Sequence, residues 1–201
     1  MSDSLQQVHL IRHGATDWSV AGKHTGRTDL PLTASGRAQA ESLRARLHAL
    51  KVDKVLTSPL VRARETAVLA GFASEIEEES DLLEWDYGTL EGQRTSEIRA
   101  AQPGWDLFEQ GCPGGERVGD LAMRADRVIA CVRKLGGNVL LFAHRDILRV
   151  IAARWVGWPG VEARRLYLEP ASLSILGYDH GSLDEPILRV LNDYDHGHSP
   201  A

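Results

Sequence analysis

The chain alternates between short apolar runs and longer stretches with apolar residues at helical spacing. Three runs stand out: Val8 to Ile11, the "KVLTSP" of residues 54 to 59, and the "NVLLFAH" of residues 138 to 144. Each reads as a short buried strand. Between them, Thr33 is placed to cap a helix carrying Ala38, Leu43 and Leu47. Ser58-Pro59 has the form of an N-cap followed by proline at the first helical position, and predicts a helix to about Ala70. Arg117 to Leu135 and residues 147 to 156 also have helical spacing, while "ASLSILGYD" and "PILRVLND" predict two closing strands.

The remaining segments are turn-rich. "HTGRTDLPLT" (24–33) reads as loop, "IEEESDLLEWDYGTLEG" (76–92) as acidic and irregular, and 102–116 as loop or a short helical piece. Strands alternating with helices argue for an α/β sandwich around a mainly parallel sheet. There is no repeat of fixed period and no low-complexity tract, and 201 residues suit a single domain spanning 1–201.

Charge narrows the partners. A formal net charge of −5 argues against nucleic acid or an anionic membrane surface as a general partner, and makes any local cationic cluster conspicuous. Cys112 and Cys131 have no metal-ligand spacing and suggest no disulfide framework, which fits a reducing compartment. "MSDSLQQVHLIRHG" has neither a basic start nor a long apolar core, so neither a signal peptide nor a membrane span is expected. The expected location is the cytoplasm. A homodimer is compatible with the sequence, which contains nothing that requires one.

The candidate chemistry sits where the strands stop. The first ends in Arg12-His13-Gly14, the second in Thr57-Ser58-Pro59 and the third in His144-Arg145-Asp146. Polar residues leaving a strand are common, and an ordinary strand end is the plain alternative for any one of these. Ligands of open α/β sheets bind beyond the carboxyl ends of the strands, so parallel neighbours would bring two histidines and several arginines to one edge. An arginine fork matches phosphate oxygens. A histidine among such cations is pushed toward its neutral, nucleophilic form. A phosphate monoester and a phosphohistidine intermediate follow from that pairing. Gly14 leaves the backbone bare where it would approach the phosphate or turn through positive φ. Two histidines also raise a metal site, but further ligands are missing and the arginines oppose a bound cation. No metal or other cofactor is expected, and no nucleotide-type phosphate loop occurs.

Taken in order, "LIRHGATDW", "HTGRTDLPLT", "TSPLVRARETA", "LLEWDYGTLEG", "GGE" and "FAH" resemble the histidine phosphatase superfamily over most of the chain. Arg-His-Gly alone is weak; the ordered set is strong. The pairing of "HTGRTDLPLT" with "EWDYGTLEG" is most similar to the small phosphatase branch, which includes acid phosphatases and sugar bisphosphatases. The resemblance implies a phosphoglycerate mutase-like fold, a three-layer α/β/α sandwich, and a metal-independent phosphatase of small phosphate monoesters. It implies His13 as the nucleophile, Arg12 and Arg62 as holders of the phosphate oxygens, and His144 as a donor to the transferring group. It further implies Glu84 as the general acid and then base, and Thr25 and Gly26 as substrate contacts. By spacing alone Arg64 competes with Arg62, Glu91 competes with Glu84, and Trp85, Asp86 and Tyr87 serve equally as pocket wall or loop packing.

Two departures matter. Arg145 occupies a position that is usually glycine in the family, followed by Asp146. It adds a cation for a second anionic group of the substrate, or pairs with Asp146 and narrows the pocket, or impairs catalysis. Only 59 residues separate Glu84 from His144, shorter than in the cofactor-dependent mutases. A mutase must keep water out, so a short lid favours hydrolysis. The alternatives are a mutase-type phosphotransferase on the same residues and a catalytically impaired binder of phosphorylated ligands.

Overall fold

The computed structural model describes residues 5–194, so both ends of the domain expected over 1–201 lie outside the described residues. Six strands form one mixed sheet: β1 (Val8–Arg12), β2 (Lys54–Thr57), β3 (Ile76–Glu78), β4 (Val139–Ala143), β5 (Leu173–Tyr178) and β6 (Pro186–Asp193). Their order is β3-β2-β4-β1-β5-β6. The first four in that order run parallel, while β5 and β6 close the sheet antiparallel.

Every residue of β1 and β4 is buried, as the apolar runs predict. Alternation along the strands then assigns the faces. Val8, Leu10, Val139 and Leu141 join one apolar cluster, and Ile11, Val55, Leu140 and Phe142 join the other. The first cluster is covered by α6 (Val118–Leu135) and α7 (Arg145–Trp155), the second by α2 (Ala34–His48) and α3 (Val61–Ala67). The result is the expected three-layer sandwich. Three shorter helices, α1 (Asp17–Val20), α4 (Thr95–Ala101) and α5 (Leu107–Gln110), lie in the connections above the strand tips.

Local chemistry explains most boundaries. Thr33 caps α2, its hydroxyl accepting from the Gly36 amide at 3.0 Å. The buried face of α2 uses Gly36, Ala40, Leu43 and Leu47; Ala38, expected inward, is exposed. Asp120 accepts from the Arg117 amide at 2.9 Å and closes the start of α6.

Three expectations are corrected. Ser58 does not cap α3: the helix begins at Val61, after Leu60, because Ser58 is drawn into the site below. Residues 145 and 146 are already helical. And "IEE" is an edge strand, β3, unreadable in an acidic stretch because only its backbone pairing with β2 makes it one.

Candidate active site

The sheet order makes β2, β4 and β1 parallel neighbours, so the three strand tips do converge. The amide of His13 donates to the Ala143 carbonyl and that of Ser58 to the Phe142 carbonyl, both at 2.9 Å, which locks the tips in register. Gly14 has a different reason than expected. A Cβ there would meet the Gly36 carbonyl oxygen at 2.3 Å, so glycine lets α2 cross the tip of β1. The Gly14 amide donates to Thr66 Oγ1 at 3.0 Å.

His13 is buried, and its Nδ1 lies 2.7 Å from the Gly14 carbonyl. A carbonyl only accepts, so Nδ1 carries the proton and Nε2 presents its lone pair. Burial, then the charges of Arg62 and Arg12, hold this imidazole well below its ordinary pKa. The neutral form of the ring is therefore favoured. Arg12 is fixed by an Nη1 bond of 2.5 Å to the Leu168 carbonyl, and among the described residues its buried Nε has no hydrogen-bond partner. Burial and the charge of Arg145 bring Arg12 down to about 10, still cationic at neutral pH.

His144 is engaged at both nitrogens. Arg62 Nε donates to its Nδ1 at 3.0 Å, and its Nε2 lies 2.7 Å from Ser58 Oγ. Arginine only donates, so the neutral ring carries its proton on Nε2. Burial and Arg62 keep it neutral. The two imidazoles are 5.2 Å apart between ring centres. The remaining bonds of Arg62 go to the carbonyls of Thr28, Thr25 and Gly26 at 3.0, 3.2 and 2.9 Å. Its fork is thus spent mainly on the 25–28 loop and on the tautomer of His144. Arg64 lies outside the site, half-exposed and paired with Glu78 at 3.3 Å.

Glu84 is buried at the N-terminus of α7. Its carboxylate accepts from the amides of Trp85 (2.9 Å), Ile147 (3.1 Å) and Asp146 (3.2 Å). Burial, followed by repulsion from Asp146, raises its pKa despite these bonds. Glu91, the competing carboxylate, is taken by the amides of Gly26 and Thr28 at 2.8 and 3.1 Å and anchors that loop.

A cavity of about 90 Å³ opens at this edge. Arg12, His13, Thr25, Glu84 and Arg145 line it, together with His24, Tyr87 and Lys23. Gly26 lies behind the wall, where a Cβ would meet the Trp85 carbonyl oxygen at 2.4 Å. His144 and Arg62 are likewise not on the wall of the empty cavity. Among the described residues, no group of three or more His, Cys, Asp or Glu side chains is placed to hold a metal ion.

The model of the histidine phosphatase superfamily (branch 1) matches residues 8–193. The chain belongs to this superfamily. An acid phosphatase of Mycobacterium tuberculosis is 41% identical over 177 aligned positions, covering 86% of each chain. A sedoheptulose 1,7-bisphosphatase of Saccharomyces cerevisiae is 28% identical over 249 aligned positions, covering 92% of each. A solved structure of an open reading frame product of Mycobacterium tuberculosis superposes with a TM-score of 0.88 at 38% identity, covering 96% of this chain and 99% of that one.

For this histidine phosphatase, sequence reasoning missed the residues that hold the site from behind. Arg124 on α6 donates to the carbonyls of Asp81 (2.8 Å), Leu83 (2.6 Å) and Glu84 (3.2 Å) and pairs with Glu116 at 2.8 Å, fixing the loop that carries Glu84. Asp146 gathers Tyr87 Oη (2.6 Å), Arg149 (2.7 Å) and Arg145 Nε (3.1 Å). Burial opposes its charge, but Arg145 and Arg149 hold its carboxyl below the ordinary range. Its helical spacing with Leu121, Ala125 and Val128, which puts an arginine on the apolar face of α6, is the signal that could have found Arg124. Of the ambiguous aromatics, Trp85 is core, with its indole N–H on the Glu116 carbonyl at 2.9 Å, while Tyr87 is both buried and on the cavity wall.

Proposed function

We propose that this protein hydrolyses small phosphate monoesters through a phosphohistidine on His13, with no metal or other cofactor in the reaction. The observation that carries the reading is the free Nε2 lone pair of a neutral His13 on the wall of a cavity shared with Arg12 and Glu84. The acid phosphatase and bisphosphatase relatives support the same class of substrate.

The chemistry follows from the geometry. His13 Nε2 attacks phosphorus; the N–P bond forms as the ester P–O bond breaks. The raised pKa of Glu84 keeps a proton for the leaving alkoxide. Glu84, now a carboxylate, takes a proton from water, whose oxygen attacks phosphorus and releases His13. Arg12 and the Nε2–H of His144, turned from Ser58 Oγ, meet the charge on the transferring oxygens. Arg62 acts through His144 by holding its tautomer. Thr25 faces the ester from the cavity wall, and Gly26 positions Arg62.

Among the described residues, no helix is long and apolar enough to cross a membrane. With the acidic net charge, this supports action on a small ester rather than at nucleic acid or a membrane, and the reduced cysteines support the cytoplasm. A homodimer is compatible with this role.

The test is hydrolysis of an aryl phosphate with chelator present, by the native chain and by His13→Ala. Activity that survives chelation and vanishes in the variant is expected. Activity retained by His13→Ala overturns the reading. Transfer to a phosphoglycerate in preference to water, in the presence of its bisphosphate, would make the protein a mutase instead. Ligand binding with no turnover by the native chain would make it a binding protein.

A further inference from the structure

We propose that Arg145 and Lys23 form a second anion subsite, so that the preferred ester carries a second phosphate or a carboxylate beside the group transferred. The inference rests on the His13 reading above and adds to it the class of substrate.

The starting point is an imbalance of charge. Three cationic side chains line the cavity, Arg12, Arg145 and Lys23, against one carboxyl group, Glu84, which is protonated when it serves as acid. Arg12 is committed to the transferring group beside His13. Arg145 is fixed through one nitrogen only: its Nε bonds Asp146 at 3.1 Å, and among the described residues its Nη1 and Nη2 have no hydrogen-bond partner. Asp146 does not cancel this charge, because the same carboxylate also pairs with Arg149 at 2.7 Å. One carboxylate between two guanidinium groups leaves a net positive charge behind the wall. The side chain of Arg145 is 35% exposed, while Asp146 beneath it is fully buried, so the fork is anchored at its base and open at its tip.

Arg145 reaches the cavity wall from the start of α7, whereas Arg12 reaches it from the end of β1. On the His13 ring, the charges of Arg62 and Arg12 act more strongly than that of Arg145. On His24, which shares the wall, the charge of Arg145 also acts. Lys23 precedes His24 in the chain, so both cations belong to the same flank. Lys23 packs over the Trp18 ring at 5.4 Å and forms no ion pair among the described residues. An anchored guanidinium and a lysine that share the cavity wall suit a second anion held beside the one that reacts.

The experiment compares three esters: phenyl phosphate, a phosphoglycerate and a ketose bisphosphate. The native protein is expected to favour the doubly anionic esters in kcat/KM. Arg145→Met should lower the ratio of doubly anionic to phenyl ester by about 10- to 100-fold, mainly through KM, as expected for losing a charge-assisted bond. Arg145→Lys should recover part of the ratio, and Lys23→Met should lower it several-fold. A loss confined to the bisphosphate identifies phosphate as the second anion, and one confined to the phosphoglycerate identifies carboxylate. An unchanged ratio, or an equal loss on all three esters, overturns the proposal.

Failure of the underlying chemistry would be seen separately. Calorimetric binding of the same phosphoglycerate and bisphosphate to His13→Ala, with and without Arg145→Met, reads the subsite without turnover. Weaker binding with Arg145→Met supports the subsite even if no phosphohistidine forms, and equal binding overturns it.

Discussion

The tips of β1 and β4 present the same residue in equivalent places, and the two copies are wired differently. His13 and His144 are both buried, both neutral and adjacent. One carbonyl, that of Gly14, holds His13 and leaves Nε2 as a bare lone pair. Arg62 holds the opposite nitrogen of His144, which forces its proton onto Nε2 and makes that atom a donor. A single hydrogen bond at Nδ1 therefore decides which imidazole keeps a lone pair at Nε2 and which one carries a proton there. The neighbouring arginines matter as much by where their N–H groups are already spent as by their charge.

The largest test of this asymmetry is removal of each ring. His13→Ala should lose at least about 10⁴-fold in kcat on any ester, since the proposed nucleophile is gone. His144→Gln should lose less, about 10²- to 10³-fold, because a donor to the transferring group is one of several. Rapid-quench labelling should then show phosphoenzyme still forming in His144→Gln and absent from His13→Ala. Equal losses in the two variants would break the comparison.

This asymmetry was only half legible in the sequence. The apolar runs of β1, β2 and β4 announce buried strands, and their polar ends announce where a site must lie. The resemblance put Arg12, His13 and Glu84 at the site because each sits in a short, recognisable segment, and all three line one cavity. The tautomer of His144 could not be read, since it depends on contacts across 82 and 86 positions, with Arg62 and with Ser58. Arg62 illustrates the limit: its place in the site was legible, but its bonds to three loop carbonyls come from a chain path that no local pattern encodes. β3 was missed for the same reason, because three partly exposed residues become a strand only by lying beside β2.

Two neutral histidines in the core also have a cost that depends on pH. Each has a folded pKa well below its unfolded value of about 6.5. Their contribution is therefore fully present above that pH. As pH falls below it, the unfolded chain binds protons that the folded chain refuses. Each ring should then cost about 1.4 kcal/mol of stability per pH unit. Denaturant titrations between pH 7 and 5 should show a steep loss for the native chain. The slope should be about 1.4 kcal/mol per unit shallower in His144→Gln and in His13→Ala alike. A variant with the native slope would mean that its histidine is already protonated in the folded state, contrary to the wiring described here.

The smallest expected effect is the most discriminating. Ser58 Oγ accepts from the Nε2–H of His144, and in the proposed reaction that proton turns to the phosphoryl oxygens instead. Ser58→Ala leaves the N–H buried without a partner in the empty enzyme and should cost about 1 to 2 kcal/mol of stability. A bound anion supplies the missing acceptor, so the penalty disappears from the loaded site. Inorganic phosphate should consequently raise the melting temperature of Ser58→Ala more than that of the native chain. kcat should stay near the native value, while kcat/KM should rise by about 5- to 30-fold, because the penalty falls on the empty enzyme alone and is relieved in the bound states. A fall in kcat approaching that of His144→Gln would show that Ser58 itself contacts the transferring group. Its bond to His144 would then be a working contact between partners rather than the resting place of a donor.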